Sequence, residues 1–141
     1  MRNRARKKKL MTLEPQVSAE LLALRDQVRY VQGGLVASAD GLVVAHDLSG
    51  VEPEGLAALT AAAIGVAKRL SEATGQGGFE ESVTRGEHGY IAVYAAGSSA
   101  VLTTLAGSET NIGRLHLRGR RAAAHIGALV DAAIHQHQGG R

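Results

Sequence analysis

Two short apolar runs, Leu35 to Ser38 and Leu42 to His46, flank Ala39-Asp40-Gly41, and this stretch constrains the fold more than any other. Asp-Gly between β-formers marks a hairpin, because the turn needs φ > 0 and glycine supplies it without strain. Side chains alternate across a strand, so Leu35 and Ala37 share one face and Val36 and Ser38 the other. On the return strand Leu42, Val44 and His46 are expected to oppose Val43 and Ala45. Both faces are apolar, so both need cover. Helical patterns before and after the hairpin supply it, and the arrangement reads as a sheet between helices.

Before the hairpin, Glu14-Pro15 leads into the first helix, with Ser18 as its expected cap. Val17, Leu21, Leu24 and Val28 recur at steps of four and three and face inward. After it, Ser49 to Pro53 forms a junction, and proline suits the first turn of the next helix. There Leu56, Leu59, Ala63, Val66 and Leu70 form a stripe expected to face the sheet, and Gly75 stops the helix. The other faces of this helix are unusually small and apolar: Ala57, Ala58, Ala61, Ala62 and Gly65, without charge until Lys68 and Arg69. Surface helices normally carry charge at such positions. The small residues are either an interaction face or the product of alanine's helix propensity.

Three strands follow. Phe79 to Arg85 places Phe79, Glu81 and Val83 on one face, and its acidic pair Glu80-Glu81 marks an edge strand. Gly86 to Gly89 turns into Tyr90 to Ala95, where Ile91 and Val93 oppose Tyr90, Ala92 and Tyr94. Ala96 to Ser99 turns again into Val101 to Leu105. Ser108 or Thr110 then caps a last helix whose stripe is Ile112, Leu115, Ala122, Ile126, Leu129 and Ala133, with Arg114, Arg118, Arg120 and Arg121 outside it. The class is α+β, a five-stranded antiparallel sheet sandwiched by helices in the order α-β-β-α-β-β-β-α.

Charge is divided unevenly. Of 16 Lys and Arg residues, six lie in the first nine positions (Arg2, Arg4, Arg6, Lys7, Lys8 and Lys9), where none of the 13 acids occurs. The remaining ten cations leave the rest of the chain at −3. Residues 1–14 are therefore expected to be a disordered basic tail, 15–138 the domain and 139–141 a short C-terminal tail. The tail is the part suited to nucleic acid or anionic lipid, which leaves a peripheral membrane contact open. Met11 is an alternative start. Removing residues 1–11 is expected to leave folding intact.

Chemistry is sparse. Cysteine is absent, which fits a reducing, cytoplasmic setting. There is no phosphate-binding Gly-rich loop ending in Lys-Ser/Thr and no Gly-x-Ser-x-Gly. Asp131 lies one turn before His135, with His137 beyond, but a metal site needs three or four convergent ligands. The expectation is no catalytic centre, no metal and no cofactor. Four aromatic residues are too few for base stacking.

Taken together, Gly34 to Ala45, the alanine-rich helix over Leu59 to Leu70, the strand Tyr90-Ile91-Ala92-Val93-Tyr94, and Ala106-Gly107 running into Asn111-Ile112-Gly113-Arg114-Leu115 resemble the Roadblock / dynein light chain family, its bacterial branch most of all. The resemblance covers about residues 17 to 135. It implies a profilin-like sheet with helices on both faces. It also implies a homodimer made by pairing of middle helices, with third strands joining edge to edge. Bacterial members act on a Ras-like small GTPase as activators or scaffolds and lack a catalytic centre of their own. On that basis Ala58, Ala61, Ala62, Gly65, Phe79, Glu81 and Val83 are the expected dimer or partner contacts, with Lys68 and Arg69 as a docking rim. The other reading is a module that senses a small molecule held between sheet and helix.

Overall fold

The computed structural model describes residues 2–139, with side chains over residues 4–135. Its helices are α1 (Arg2–Met11), α2 (Glu14–Gln27), α3 (Pro53–Ala73) and α4 (Ile112–Gly139). Its strands are β1 (Val31–Ser38), β2 (Val43–His46), β3 (Glu81–Gly86), β4 (Gly89–Ala96) and β5 (Ala100–Gly107). The expected five-stranded sheet is present, in the spatial order β2-β1-β5-β4-β3 with every neighbouring pair antiparallel. β3 is an edge strand, as its acidic pair suggested. The central pairing joins β1 to β5, from Val31 opposite Ala106 to Ser38 opposite Ala100.

The hairpin closes as the sequence requires. Gly41 sits at φ 93, a conformation that costs a side-chain-bearing residue energy, and its N–H donates to the Ser38 carbonyl at 2.9 Å. Ser38 Oγ accepts from the Leu42 N–H at 3.0 Å and donates to the Asp40 carboxylate. That hydroxyl holds the Asp40 carboxyl below its usual range, with a smaller contribution from Arg6. The strict alternation expected for β2 fails. Val36 pairs with Ala45 and Ala37 with Val43, so Val44 is an extra residue in a bulge. Val44 and Ala45 consequently join the same core, while Val43 turns to the opposite face beside Leu35 and Ala37.

The two faces of the sheet differ. On one, α2 and α4 bury Val17, Leu21, Leu24, Val28, Leu115, Ile126 and Val130 against Val36, Ala92, Tyr94 and Leu102. The stripes expected for the first and last helices are thus the buried ones. α4 approaches very closely where the β4–β5 turn meets it: a Cβ on Gly127 would lie 2.2 Å from the Gly97 nitrogen. On the other face, α3 lies over two smaller clusters. Ala57 packs with Leu35 and Ala37, and Ile64 packs with Val93 and Val101.

Several local expectations are corrected. α2 begins at Glu14, so Ser18 is inside the helix, where its hydroxyl donates to Glu14 at 2.9 Å. Asn111 caps α4 by accepting from the Arg114 N–H at 3.0 Å, displacing Ser108 and Thr110 from that role. The basic segment expected to be a disordered tail is helix α1. Its lysines, arginines, alanine and leucine are strong helix formers. Leu10 is fully buried in the main core, which anchors the helix against α4. Of the C-terminal tail, residues 140 and 141 lie outside the described residues, as does the side chain of His137.

Candidate interaction surface

The N-terminus of α3 is fixed by Glu52, whose carboxylate accepts from the Gly55 N–H at 2.7 Å, and by Pro53 in the first turn. With the start so placed, the inward residues of α3 are Ala57, Thr60 and Ile64, spaced at three and four. The stripe expected to face the sheet therefore points away from it. Leu59, Val66 and Leu70 are 71%, 68% and 66% exposed, and Ala62 and Ala63 lie exposed among them; only Leu56 is partly buried. The reason is that α3 is apolar around most of its circumference, so periodicity alone does not orient it.

The residues singled out on this helix divide accordingly. Ala62 is central to the exposed stripe, Ala58 and Gly65 flank it, and Ala61 is half-buried towards the sheet. Lys68 and Arg69 are both exposed at the C-terminal end, with Arg69 one turn beyond Gly65 and two beyond Ala62. The outward positions that sequence reasoning misplaced are Leu59, Ala63, Val66 and Leu70. The available signal was the lack of charge on both sides of the helix before Lys68.

The β3 edge also divides. Val83 is exposed, and β3 pairs only with β4 among the described strands. Phe79 precedes the strand and packs beneath α3 with Ile64, Val93 and Ile91, so it does not share a face with Glu81 and Val83. Glu81 is engaged within the chain. Its two oxygens accept from Arg120 Nε and Nη2, both at 2.7 Å, and His116 Nδ1 lies 3.7 Å away. His116 Nδ1 in turn lies 2.9 Å from the Tyr94 hydroxyl. The Arg120 hydrogen bonds hold the Glu81 carboxyl below its ordinary range against the opposing effect of burial. Burial, reinforced by the Glu81 charge, raises the Tyr94 phenol. The set ties the edge strand to α4 and assigns Glu81 an internal contact.

The remaining candidates are dispersed. Arg114 donates to the Gln27 carbonyl at 3.0 Å and Arg118 and Arg121 line a depression beside Gln27, whereas Arg120 pairs with Glu81, so the four α4 arginines are split, with Arg120 apart from the other three. Asp131 and His135 line one depression with Ser98, and Asp131 is engaged within the chain. Its carboxylate accepts from the N–H and hydroxyl of Ser98 at 3.1 and 3.0 Å, closing the β4–β5 turn. Among the described residues no three His, Asp or Glu side chains converge as a metal site, and no helix is long and apolar enough to cross a membrane. Between the sheet and α4 the interior is filled by Tyr94, Leu102, Leu115 and Ile126. Surface depressions, such as one of about 270 Å³ lined by Glu20, Gln27, Arg118 and Arg121, open to solvent.

Comparison with known proteins places this arrangement. An uncharacterized protein of Methanocaldococcus jannaschii, MJ0714, is 37% identical over 100 residues, covering 70% of this chain and 84% of that protein. Among solved structures, one described as MglB with tetrameric arrangement superimposes with a TM-score of 0.77 at 24% identity, covering 84% of this chain and 90% of that one. Profilin IA of Acanthamoeba castellanii superimposes with a TM-score of 0.54 at 12% identity, covering 82% and 97%, so the profilin-like fold expected from the sequence is met. The family model described as Roadblock/LC7 domain matches residues 17–106, from the first buried residue of α2 to Ala106 near the end of β5, and the chain belongs to that family.

Proposed function

We propose that this protein is a regulatory or scaffolding homodimer that binds a Ras-like small GTPase and stimulates its GTP hydrolysis. The observation that carries the reading is the outward face of α3. Three large apolar side chains and two alanines lie exposed on one stripe, next to Lys68 and Arg69. Contiguous apolar surface of this kind marks a protein–protein contact, and small residues let a second helix approach closely. The family points the same way, and the tetrameric arrangement named for the MglB structure is consistent with self-association. The exposed edge of β3 at Val83 supplies a second contact, by continuing the sheet into another copy.

In this reading the dimer contributes no reacting group. It recognises the GTP-bound partner because the γ-phosphate orders the switch loops, and a surface complementary to the ordered loops gains differential affinity. Lys68 and Arg69 dock that surface. The test measures turnover by the cognate GTPase with wild-type protein, Lys68→Ala and Arg69→Ala. Docking residues raise the concentration needed and leave the saturated rate nearly unchanged. An arginine supplied to the reaction would instead lower the saturated rate by on the order of a thousandfold or more. Ala62→Arg is expected to split the dimer by burying an unpaired charge at its centre. A variant that sediments as a dimer removes α3 from the interface. Turnover unchanged by any of the three substitutions removes this surface from the GTPase contact.

A further inference from the structure

The basic helix α1 is not used by the α3 surface, and its geometry points to a different contact. Leu10 is fully buried beneath it, Arg6 reaches Asp40 at 3.7 Å, and the helix lies along α4. Docking of this kind fixes which side faces outward. Arg4, Lys7 and Lys8 are exposed, and Met11 is 48% exposed. These positions follow one another at steps of three, one and three, so they form a single stripe on the helix. α1 contains no acidic residue. The rest of the chain carries a net −3, so the net positive charge of the whole chain resides in this helix.

We infer that the outward stripe of α1 is a docking face for an anionic membrane surface, which it meets through lipid phosphate and carboxylate headgroups. Three features favour a bilayer over nucleic acid. Residues 2 to 11 contain no aromatic ring to stack on a base. The stripe ends in an exposed methionine, whose thioether gains by entering the headgroup region and has no counterpart role on a phosphate backbone. Arg4, Lys7 and Lys8 lie along the outward side of a helix about 15 Å long that packs against α4, which suits a plane. The only buried leucine of α1 is already used in the core, so association is electrostatic and peripheral. This inference is independent of the proposed GTPase contact.

The test is vesicle sedimentation with the full chain. Wild-type protein is expected to sediment with phosphatidylcholine vesicles containing about 30 mol % phosphatidylserine at about 50 mM salt. It should remain in solution with phosphatidylcholine alone. Raising the salt to about 300 mM shortens the screening length and should weaken binding at least about tenfold. The variant Arg4→Glu/Lys7→Glu/Lys8→Glu keeps Leu10 and the Arg6–Asp40 pair, so the helix stays docked. Its affinity for the charged vesicles should fall on the order of a hundredfold or more. Absence of wild-type binding to the charged vesicles overturns the inference, as does equal binding by the variant. A DNA duplex that strips the protein from vesicles at equal phosphate concentration would reassign the face to nucleic acid.

Discussion

Helices α3 and α4 cover opposite faces of one sheet, and both carry apolar residues at helical spacing. They use them in opposite ways. α4 buries Leu115, Ile126 and Val130 and leaves Arg114, Arg120 and Arg121 outside. α3 meets the sheet through Ala57, Thr60 and Ile64, and turns Leu59, Val66 and Leu70 to solvent. The comparison separates two meanings of an apolar stripe. On α4 it is the chain's own core. On α3 Leu59, Val66 and Leu70 are held away from the core, and Ala57, Thr60 and Ile64 meet a sheet lined by Leu35, Val93 and Val101. In the proposed reading a second molecule covers what is left outside.

The contrast is sharpest at Ile126. It is fully buried between α4 and the sheet. Ile126→Ala should lower unfolding free energy by about 2–5 kcal/mol, read by chemical denaturation. The loss should be independent of protein concentration, because the contact lies within one chain. A loss under about 1 kcal/mol would mean that α4 is not the core helix described here.

α1 tests whether a charged segment belongs to the α4 side. Its sequence argues for disorder, yet Leu10 is buried in the same core as Leu115 and Ile126. Leu10→Ala is expected to cost about 2–3 kcal/mol, at the lower end for a buried leucine because α1 packs chiefly against α4 alone. Deletion of residues 2–11 should cost at least as much, which revises the expectation drawn from charge alone. Melting of the deletion at the wild-type temperature would show that the helix adds nothing to the fold.

The Glu81 contact gives a smaller effect with a definite sign. Arg120 holds the Glu81 carboxyl below the usual glutamate value of 4.5 in the folded chain. A depressed folded pKa adds stability above the unfolded value, and that stability is lost as pH falls through the folded one. Wild type should therefore lose more than Glu81→Gln as pH drops below about 4.5. The difference should be a few degrees in Tm at most, because Arg120 is largely solvated. Parallel acid profiles would show that the pair contributes nothing.

What the sequence made legible follows from what is local. The Asp40-Gly41 turn, the alternation of Tyr90 to Tyr94 and the stripes of α2 and α4 depend on spacing within one element, and each is found as read. The errors share another origin. The Val44 bulge is fixed by the register against β1, the role of Asp131 by its reach to Ser98, and the contact of Gly127 with Gly97 by the approach of two distant segments. None of these leaves a periodic trace. The rotation of α3 was hidden because both of its sides are apolar. The choice between them depends on packing against a sheet formed by residues far along the chain. The candidate surface was therefore legible as a helix, but the side of it that faces outward was not.

The smallest predicted effect bears most directly on the contrast between the two helices. Val66 is exposed on α3, and its removal leaves no cavity within one chain. In the Ala62→Arg background, where chains are expected to be single, Val66→Ala should change unfolding free energy by no more than about 0.5 kcal/mol, like other exposed substitutions. In the otherwise wild-type protein the same change should cost more, and the excess should grow with concentration, because a dimer is stabilised by mass action. The two positions are one turn apart on one stripe, so non-additivity between them reports the shared contact. An equal cost in both backgrounds would show that Val66 meets no second chain. A cost of about 2 kcal/mol or more in single chains would place Val66 in the monomer's own core and remove the distinction between α3 and α4.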